Sequence, residues 1–502
     1  MPGASSSTIS RLRRVHWFVP AAAVVVAMHA RFLFMPLTAD EGGFMAVARW
    51  WRQGGTLYED IFTDRPQGMF VVFGLFDLLG LDSPFGLRLL AILFAFMGVA
   101  ACGVITARLA GPEAAWIGAM SAAVISSVAK YQGYVANGEL LSCAPGAVSL
   151  AFVLSAVWKR EHPRPWLLAA GGFFGTVGLS MKQTGFDAFV TGVLVVLVLV
   201  VRRNWTVRER WVSVGALAGG AAVPVLAMVV HAVSTVGWSR WWFAIFEYRT
   251  STRSGASDAD WGRLGRTGRG AASVLVLVVL ISIVLAVRHA RRRNWSVLSV
   301  LACWGVLSVV AFLSGGQFYE HYWVILTFPV STIAAVLVAD VEVPRLRLAL
   351  FAAMLLLPVA MSVRTTVRSL DRYGATVVEP RLETNQMVRD WYRDHHNPGD
   401  QLVALCSSPA LYYDGYIPTP YRYLWPADIA YVPGAREELY NLLTGDRAPR
   451  YVAEFVIDDG CDPDGWIPPV LAARYREVEV FLEGDKDQVR VLELVPGSTY
   501  AG

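Results

Sequence analysis

Charge is what this 502-residue chain has little of. Asp, Glu, Lys and Arg make up 17% of it, where a soluble chain carries about a quarter. Apolar residues fill the deficit at 55%, and the mean hydropathy is +0.44. The net charge of +4 comes from arginine blocks between apolar segments, so it reads as topology information, and no nucleic-acid partner is expected. Cysteine is scarce too: there are five, with no CxxC and no His/Cys cluster of the kind that holds zinc. Cys102, Cys143 and Cys303 fall in apolar runs as ordinary buried thiols, whereas Cys406 and Cys461 lie in a polar region and can pair if it is extracytoplasmic. A cleavable signal peptide is also missing, because the first apolar run is too long for one and ends on acids instead of small residues. Repeated halves with paired broken helices, the mark of many secondary transporters, are not seen either.

What the chain does have is long apolar runs, at 15–37, 85–107, 114–129, 140–158, 166–181, 186–201, 211–233, 271–287, 296–313, 323–339 and 348–363. Each is near the roughly 20 residues that cross a hydrocarbon core. Arg11, Arg13 and Arg14 precede the first and hold the N-terminus in the cytoplasm. Counting inward from there, the basic turns at Arg108, Lys159-Arg160, Arg202-Arg203, Arg288 to Arg293 and Arg345/Arg347 all fall on the cytoplasmic side. The turns near Gly138, Gln183 and Gln317 hold few basic residues and fall outside. A further apolar stretch, 69–81, is short and interrupted by Asp77; counting it as a span would invert everything after it, so it is expected to be a juxtamembrane or re-entrant helix. One outer loop, 234–270, breaks the charge rule with Arg240, Arg249, Arg253, Arg263, Arg266 and Arg269. It is either a solvated loop or a basic surface for lipid phosphates.

After residue 363 the pattern changes to a helical period at 382–395 and strand-like stretches at 401–406, 451–457, 477–482 and 489–494. The expected architecture is a polytopic α-helical membrane protein of about eleven spans, residues 1–363 with a first outer loop at 38–84, followed by a small α/β domain, residues 364–502. Odd span parity makes that domain extracytoplasmic.

The chemistry gathers in the first outer loop, where Asp40-Glu41-Gly42 opens an amphipathic helix and is followed by Gly54-Gly55, Tyr58, Asp60 and Asp64-Arg65-Pro66-Gln67. This loop resembles that of the GT-C membrane glycosyltransferases, in the bacterial branch related to protein O-mannosyltransferases and lipid A aminoarabinose transferases. Asp40, Glu41, Gly42, Gly55, Tyr58, Asp60, Arg65 and Pro66 match the branch's D-E-G, G-x-x-Y-x-D and basic-Pro-Pro pattern; Gln67 stands in place of the second proline, and Arg65 where lysine is common. The resemblance implies a multi-pass enzyme of a bacterial plasma membrane that moves a sugar from a polyprenyl-phosphate donor to an extracytoplasmic acceptor, whether protein, lipid or cell-wall glycan. It makes Asp40 the catalytic base and leaves Glu41 to support it or to help bind a metal. The residues suit that chemistry on their own terms, since glycosyl transfer needs a carboxylate to take the acceptor's proton and cations to hold the departing phosphate. The plainer reading is that Asp40 caps the helix after it.

Other outer turns add candidates. Glu139 and Asn137 form a second acidic site that could position the acceptor, or Glu139 is simply an acid at a helix start. Lys182 either snorkels or binds the donor phosphate beside Arg65. His321, in a Gln317-Phe318-Tyr319-Glu320-His321-Tyr322 turn before Pro329, either contacts phosphate or sugar or packs at the interface. No cofactor is required by these residues; a divalent cation on Asp40, Glu41 and Glu139 is possible. The rival classes are a membrane transporter and a non-catalytic protein that binds lipid or glycan. In the C-terminal region, Tyr412, Tyr413, Tyr421 and Tyr423 either shape the acceptor side or form core.

Overall fold

The computed structural model describes residues 17–251, 258–292, 294–371, 382–406, 409–414, 417–455, 461–483 and 487–500. The expectations placed on Arg11, Arg13, Arg14 and Arg253 lie outside them. Helices α1 (Phe18–Ala30), α2 (Ala39–Arg52), α3 (Gln67–Leu78), α4 (Pro84–Ala110), α5 (Ala115–Ser126), α6 (Gly138–Val157), α7 (Pro165–Met181) and α8 (Asp187–Arg202) make the first half. The second half has α9 (Val207–Thr235), α10 (Asp258–Arg291), α11 (Trp295–Ser314), α12 (Val324–Ala339) and α13 (Pro344–Asp371).

Every apolar run expected to span coincides with a helix, but their lengths divide them. Among the described residues, seven helices are long and apolar enough to cross a membrane. Helices α1, α5, α7 and α8, at 13, 12, 17 and 16 residues, are shorter. For α5 the reason is visible, since nearly all its residues are buried by neighbouring helices and it meets little lipid. By contrast, α9 and α13 expose Val223, Leu226, Val230 and Val233, and Leu348, Leu356 and Val363. Exposed bulky apolar side chains on long helices are what a lipid-facing surface requires.

The stretch expected to lie alongside the membrane is α3, and it packs on α2. A buried arginine joins them: Arg49 donates to Asp77 at 3.1 Å and to Asp82 at 2.8 Å, and Arg52 donates to Asp77 at 2.6 Å. Asp77, which interrupts the apolar pattern, is thus the anchor of the loop.

The C-terminal region folds as α14 (Leu382–His395), β1 (Leu402–Leu405), α15 (Pro426–Tyr431), α16 (Ala435–Thr444), β2 (Tyr451–Glu454), α17 (Ile467–Arg474), β3 (Tyr475–Glu483) and β4 (Asp487–Leu494). The sheet order is β1-β2-β4-β3, with β1 and β2 parallel and the remaining pairs antiparallel. Cys406 and Cys461 form a disulfide with Cα atoms 6.0 Å apart, joining the end of β1 to the segment before α17. Tyr412, Tyr413, Tyr421 and Tyr423 are all buried, so the aromatic run is core.

This domain sits on the first loop. The Arg49 guanidinium also donates to the Tyr413 carbonyl at 3.1 Å, the Tyr413 hydroxyl donates to the Asp82 carbonyl, and the Phe62 amide donates to the Arg422 carbonyl at 3.1 Å. The paired glycines of α2 allow the approach, because a Cβ on Gly42 would strike the Ala410 backbone and one on Gly43 would strike Trp425 and Pro409. Gly42→Val is therefore expected to loosen the docked domain, at a cost of about 1–3 kcal/mol for overpacking. Limited proteolysis of the purified full chain, compared with wild type, checks this.

Candidate active site

Helix α2 starts at a capping box. Thr38 is the cap: its hydroxyl accepts from the Glu41 amide at 3.3 Å, and its own amide and hydroxyl donate to Glu41 Oε2, each at 3.1 Å. The capping role that a plain reading gives to Asp40 belongs to Thr38 and Glu41. Asp40 is left free to turn outward.

Glu41 has no exposed surface. Its Oε1 accepts from Arg88 and from the Ala136 amide at 2.9 Å. Arg88, equally buried, also donates to the Phe32 carbonyl at 3.3 Å and the Pro36 carbonyl at 3.1 Å. Every lone pair that Glu41 could offer to a metal or substrate faces such a donor. It is a framework residue, joined to Arg88, Thr38 and Ala136.

Asn137 is also framework. Its Oδ1 caps α6 by accepting from the Leu140 amide at 2.9 Å, while its buried Nδ2 has no partner among the described residues. That cap sets Glu139 in the first turn of α6, where it is buried and ion-paired with Lys182. Lys182, at the end of α7, also lies 4.4 Å over the Tyr322 ring. His321 stands between the two acids, with Nε2 3.9 Å from Glu139 and 4.0 Å from Asp40 Oδ2. Asp40, about 29% exposed at its side chain, accepts a hydrogen bond from Trp425 Nε1 at 3.0 Å. Asp40, Glu139, Lys182 and His321 thus meet at one end of the helix bundle, beneath the C-terminal domain.

Arg65 lies beside this group and acts electrostatically on Glu139 and Lys182. It donates to Asp64 at 2.6 Å, its guanidinium stands 5.9 Å from the Phe44 ring centre, and its buried Nε has no partner among the described residues. The loop holds it by local closure: Tyr58, in the left-handed region at φ 72°, donates its hydroxyl to the Arg65 carbonyl at 2.9 Å. Asp60 accepts from the Thr56 amide at 2.6 Å after the Gly54-Gly55 turn. The motif's Tyr58 and Asp60 therefore shape the loop that presents Arg65.

Three residues at the site were not singled out from sequence. Arg249 pairs with Asp64, and its Nε too is buried without a partner among the described residues. Its signal was present, since it belongs to the arginines that break the charge rule in the 234–270 loop. Asp64 stood within the motif. Trp425 had no signal beyond being aromatic. Gln183 joins these pieces by donating to the Asp64 carbonyl at 2.8 Å and the Ile245 carbonyl at 3.0 Å.

Among the described residues, no group of three or more His, Cys, Asp or Glu side chains is placed to hold a metal ion. Glu41 and Glu139, two of the three acids considered as ligands, are committed to Arg88 and Lys182. The donor set does not fit a cation, and no step is routed through one.

No family model matches the sequence, and no curated protein matches it. The fold, however, is shared with solved structures. ArnT from Cupriavidus metallidurans bound to undecaprenyl phosphate aligns at TM-score 0.63 and 15% identity, over 95% of this chain and 97% of that one. The oligosaccharyltransferase AglB from Archaeoglobus fulgidus, in complex with an inhibitory peptide and a dolichol-phosphate, aligns at TM-score 0.54 and 10% identity, over 96% of this chain and 74% of that one. The mycobacterial arabinofuranosyltransferase AftD aligns at TM-score 0.53 and 14% identity, over 95% of this chain and 41% of that one.

The chain shares the overall fold of these three structures. A second acidic pair tests how the C-terminal domain is seated. Asp428 on α15 is buried and accepts from the Tyr248 hydroxyl at 3.0 Å. Burial, with the Asp64 charge nearby, pushes its carboxyl well above the usual range. At Asp64 burial acts in the same direction, but Arg249 and Arg65 outweigh it and hold its carboxyl below the usual range. Asp428 therefore contributes stability that is complete below its ordinary value of 3.8 and declines as pH rises towards its folded value; Asp64 contributes stability above 3.8 that is lost in acid. Asp428→Asn is expected to keep the fold and flatten the fall in melting temperature with rising pH. Asp64→Asn should cost about 3–5 kcal/mol by stranding a buried guanidinium. Melting curves against pH on the full chain separate the two.

Proposed function

We propose that this protein is an integral-membrane glycosyltransferase that moves a sugar from a polyprenyl-phosphate donor to a hydroxyl of an extracytoplasmic acceptor, with Asp40 as general base. The observation that carries the reading is the division of labour among the charged groups at one end of the bundle. Asp40 is the partly exposed carboxylate, while Glu41 and Glu139 are buried and paired to cations. Arg65 and Arg249 each bring a buried Nε without a partner among the described residues, which is the donor chemistry a phosphate needs. The GT-C fold, shared with ArnT bound to undecaprenyl phosphate and AglB with a dolichol-phosphate, supports the same assignment.

In the reaction the acceptor hydroxyl gives its proton to Asp40 as its oxygen attacks the anomeric carbon. The bond from that carbon to the phosphate oxygen breaks, and the electron pair leaves with the phosphate, whose charge Arg65, Lys182 and Arg249 receive. A single displacement inverts the anomeric centre. Trp425 holds Asp40 by its indole N–H, leaving the other carboxylate oxygen towards His321. Lys182 acts mainly through its field, because its ammonium is committed to Glu139.

The reading places this end of the bundle outside a bacterial plasma membrane. The Cys406–Cys461 disulfide suits an oxidising compartment, and Arg108, Arg202, Arg288 and Arg345 fall at the opposite ends of their helices. Transfer of labelled sugar from a panel of polyprenyl-phosphate donors in membranes tests the activity. Asp40→Asn is expected to lower turnover by about 10²–10⁴-fold, the usual worth of a positioned base, with lipid-phosphate binding retained. Equal turnover by the variant would remove Asp40 from the role.

A further inference from the structure

The arginines left over in the 234–270 loop follow a pattern that the transfer chemistry does not use. Helix α10 has 34 residues, or about 51 Å at 1.5 Å each, against a hydrocarbon core of about 30 Å. Its first turns therefore stand out of the hydrocarbon on the side of the candidate active site. The lipid-facing band is marked by exposed Val276, Val279, Leu280, Ile283, Val284 and Val287. Arg269 is the last charged residue before that band, and Arg266 lies one turn further out; both are exposed, and neither has an ion-pair partner among the described residues. Such positions lie at headgroup depth.

A third cation joins them. Lys130 is exposed, and its side chain runs across Gly270 so closely that a Cβ there would strike its Cε. The turn that carries Lys130 is held to α10 by the Tyr131 hydroxyl, which donates to the Ala271 carbonyl at 3.3 Å.

From Arg266 the pattern continues one turn further out to Arg263, again three residues away and so adjacent along the helix. Arg263 donates to the Gln317 carbonyl at 2.7 Å and lies 4.3 Å over the Tyr319 ring. Tyr319 stacks on His321 with ring centres 5.8 Å apart. His321 is the residue between Asp40 and Glu139. A series of side chains, in which Arg263 is also ion-paired to Asp260 at 2.7 Å, thus runs from headgroup depth through Tyr319 to His321, and Thr267, donating to the Phe318 carbonyl at 3.1 Å, pins α10 to the His321 turn.

We propose that Lys130, Arg266 and Arg269 form a landing site for the phosphate of the lipid-linked donor, from which Arg263 leads it to the His321 turn. The occupant is the donor lipid, because a bulk anionic lipid gives no reason for the series to continue towards Asp40. This rests on the glycosyltransferase reading for the identity of the donor, but the site itself is defined by binding.

The test uses the full-length protein. Retention of a polyprenyl phosphate is measured by native mass spectrometry for wild type, Lys130→Gln, the Arg266→Gln/Arg269→Gln double variant and the corresponding Arg→Lys double variant. Arg240→Gln removes a charge of the 234–270 loop that is paired to Glu59 of the first outer loop and serves as the control. Retention by the Gln double variant is expected to fall roughly ten- to thirty-fold, as the loss of two headgroup-level arginines implies, with a smaller fall for Lys130→Gln. The Lys double variant is expected to recover most of it, and Arg240→Gln to match wild type. In transfer assays the Gln double variant should raise KM for the donor and leave kcat unchanged. Unchanged retention in the Gln double variant would overturn the proposal. So would an equal loss in Arg240→Gln, or displacement of the probe by phosphatidylglycerol or inorganic phosphate at matched concentration. Arginine-dependent retention without sugar transfer by wild type would count against the enzymatic reading alone.

Discussion

The candidate active site depends on one buried ion pair, Glu41 with Arg88. Neither side chain has appreciable contact with solvent, and burying two charges is expensive unless their remaining donors and acceptors are met. Here they are met by Thr38, Ala136, Phe32 and Pro36. The pair thereby ties together the end of the α1 connection, the first turn of α2, helix α4 and the turn before α6. Asp40 is next to Glu41 in sequence, and Asn137, the α6 cap, is next to Ala136. Fixing Glu41 therefore fixes the separation between Asp40 and Glu139, although nearly a hundred residues lie between them. A hydrophobic replacement could match the packing, but it could not hold an amide of the α6 turn and the cap of α2 with one group.

A second constraint is the splitting of like charges. Asp40, Glu139, Asp64 and Asp428 converge on one end of the bundle, and four carboxylates in a poorly solvated space cannot all be ionised unaided. Lys182 compensates Glu139, Arg249 and Arg65 compensate Asp64, and burial raises the Asp428 carboxyl well above its usual range. Asp40 receives a neutral indole donor and a histidine in place of a permanent cation. It is therefore the partly exposed carboxylate held by a neutral donor and not by a permanent cation. That difference comes from its surroundings, since Asp40 and Glu41 are adjacent and chemically alike.

Much of this was legible from the chain because membrane topology writes itself in composition. The apolar runs found the helices, and the arginine turns placed Asp40, Glu139, Lys182 and His321 at a common depth. Asp77, which breaks an apolar stretch, is the residue through which α3 is tied to Arg49 and Arg52 of α2. What could not be read was which carboxylate would be paired. The capping box was spelled by Thr38 and Glu41, three residues apart, yet the acidic pair drew attention away from it. Arg88 lay within an apolar run and gave no sign that it would reach back to Glu41. Trp425 comes from a domain whose seating on α2 is set by Gly42 and Gly43, and such a contact leaves no local periodicity.

The seating of that domain bears on selectivity. A base at a membrane interface is open to water, and a glycosyl donor held beside activated water would be hydrolysed. Two hydrogen bonds join the domain to this end of the bundle, from Trp425 to Asp40 and from Tyr248 to Asp428. The indole of Trp425 orients Asp40, and in the proposed reaction the acceptor would reach it on the side of His321. In the proposed reaction the lipid-linked donor would come by the Arg263–Tyr319–His321 series and the acceptor by another route. Both would meet at Asp40, the carboxylate whose position the Glu41–Arg88 pair holds.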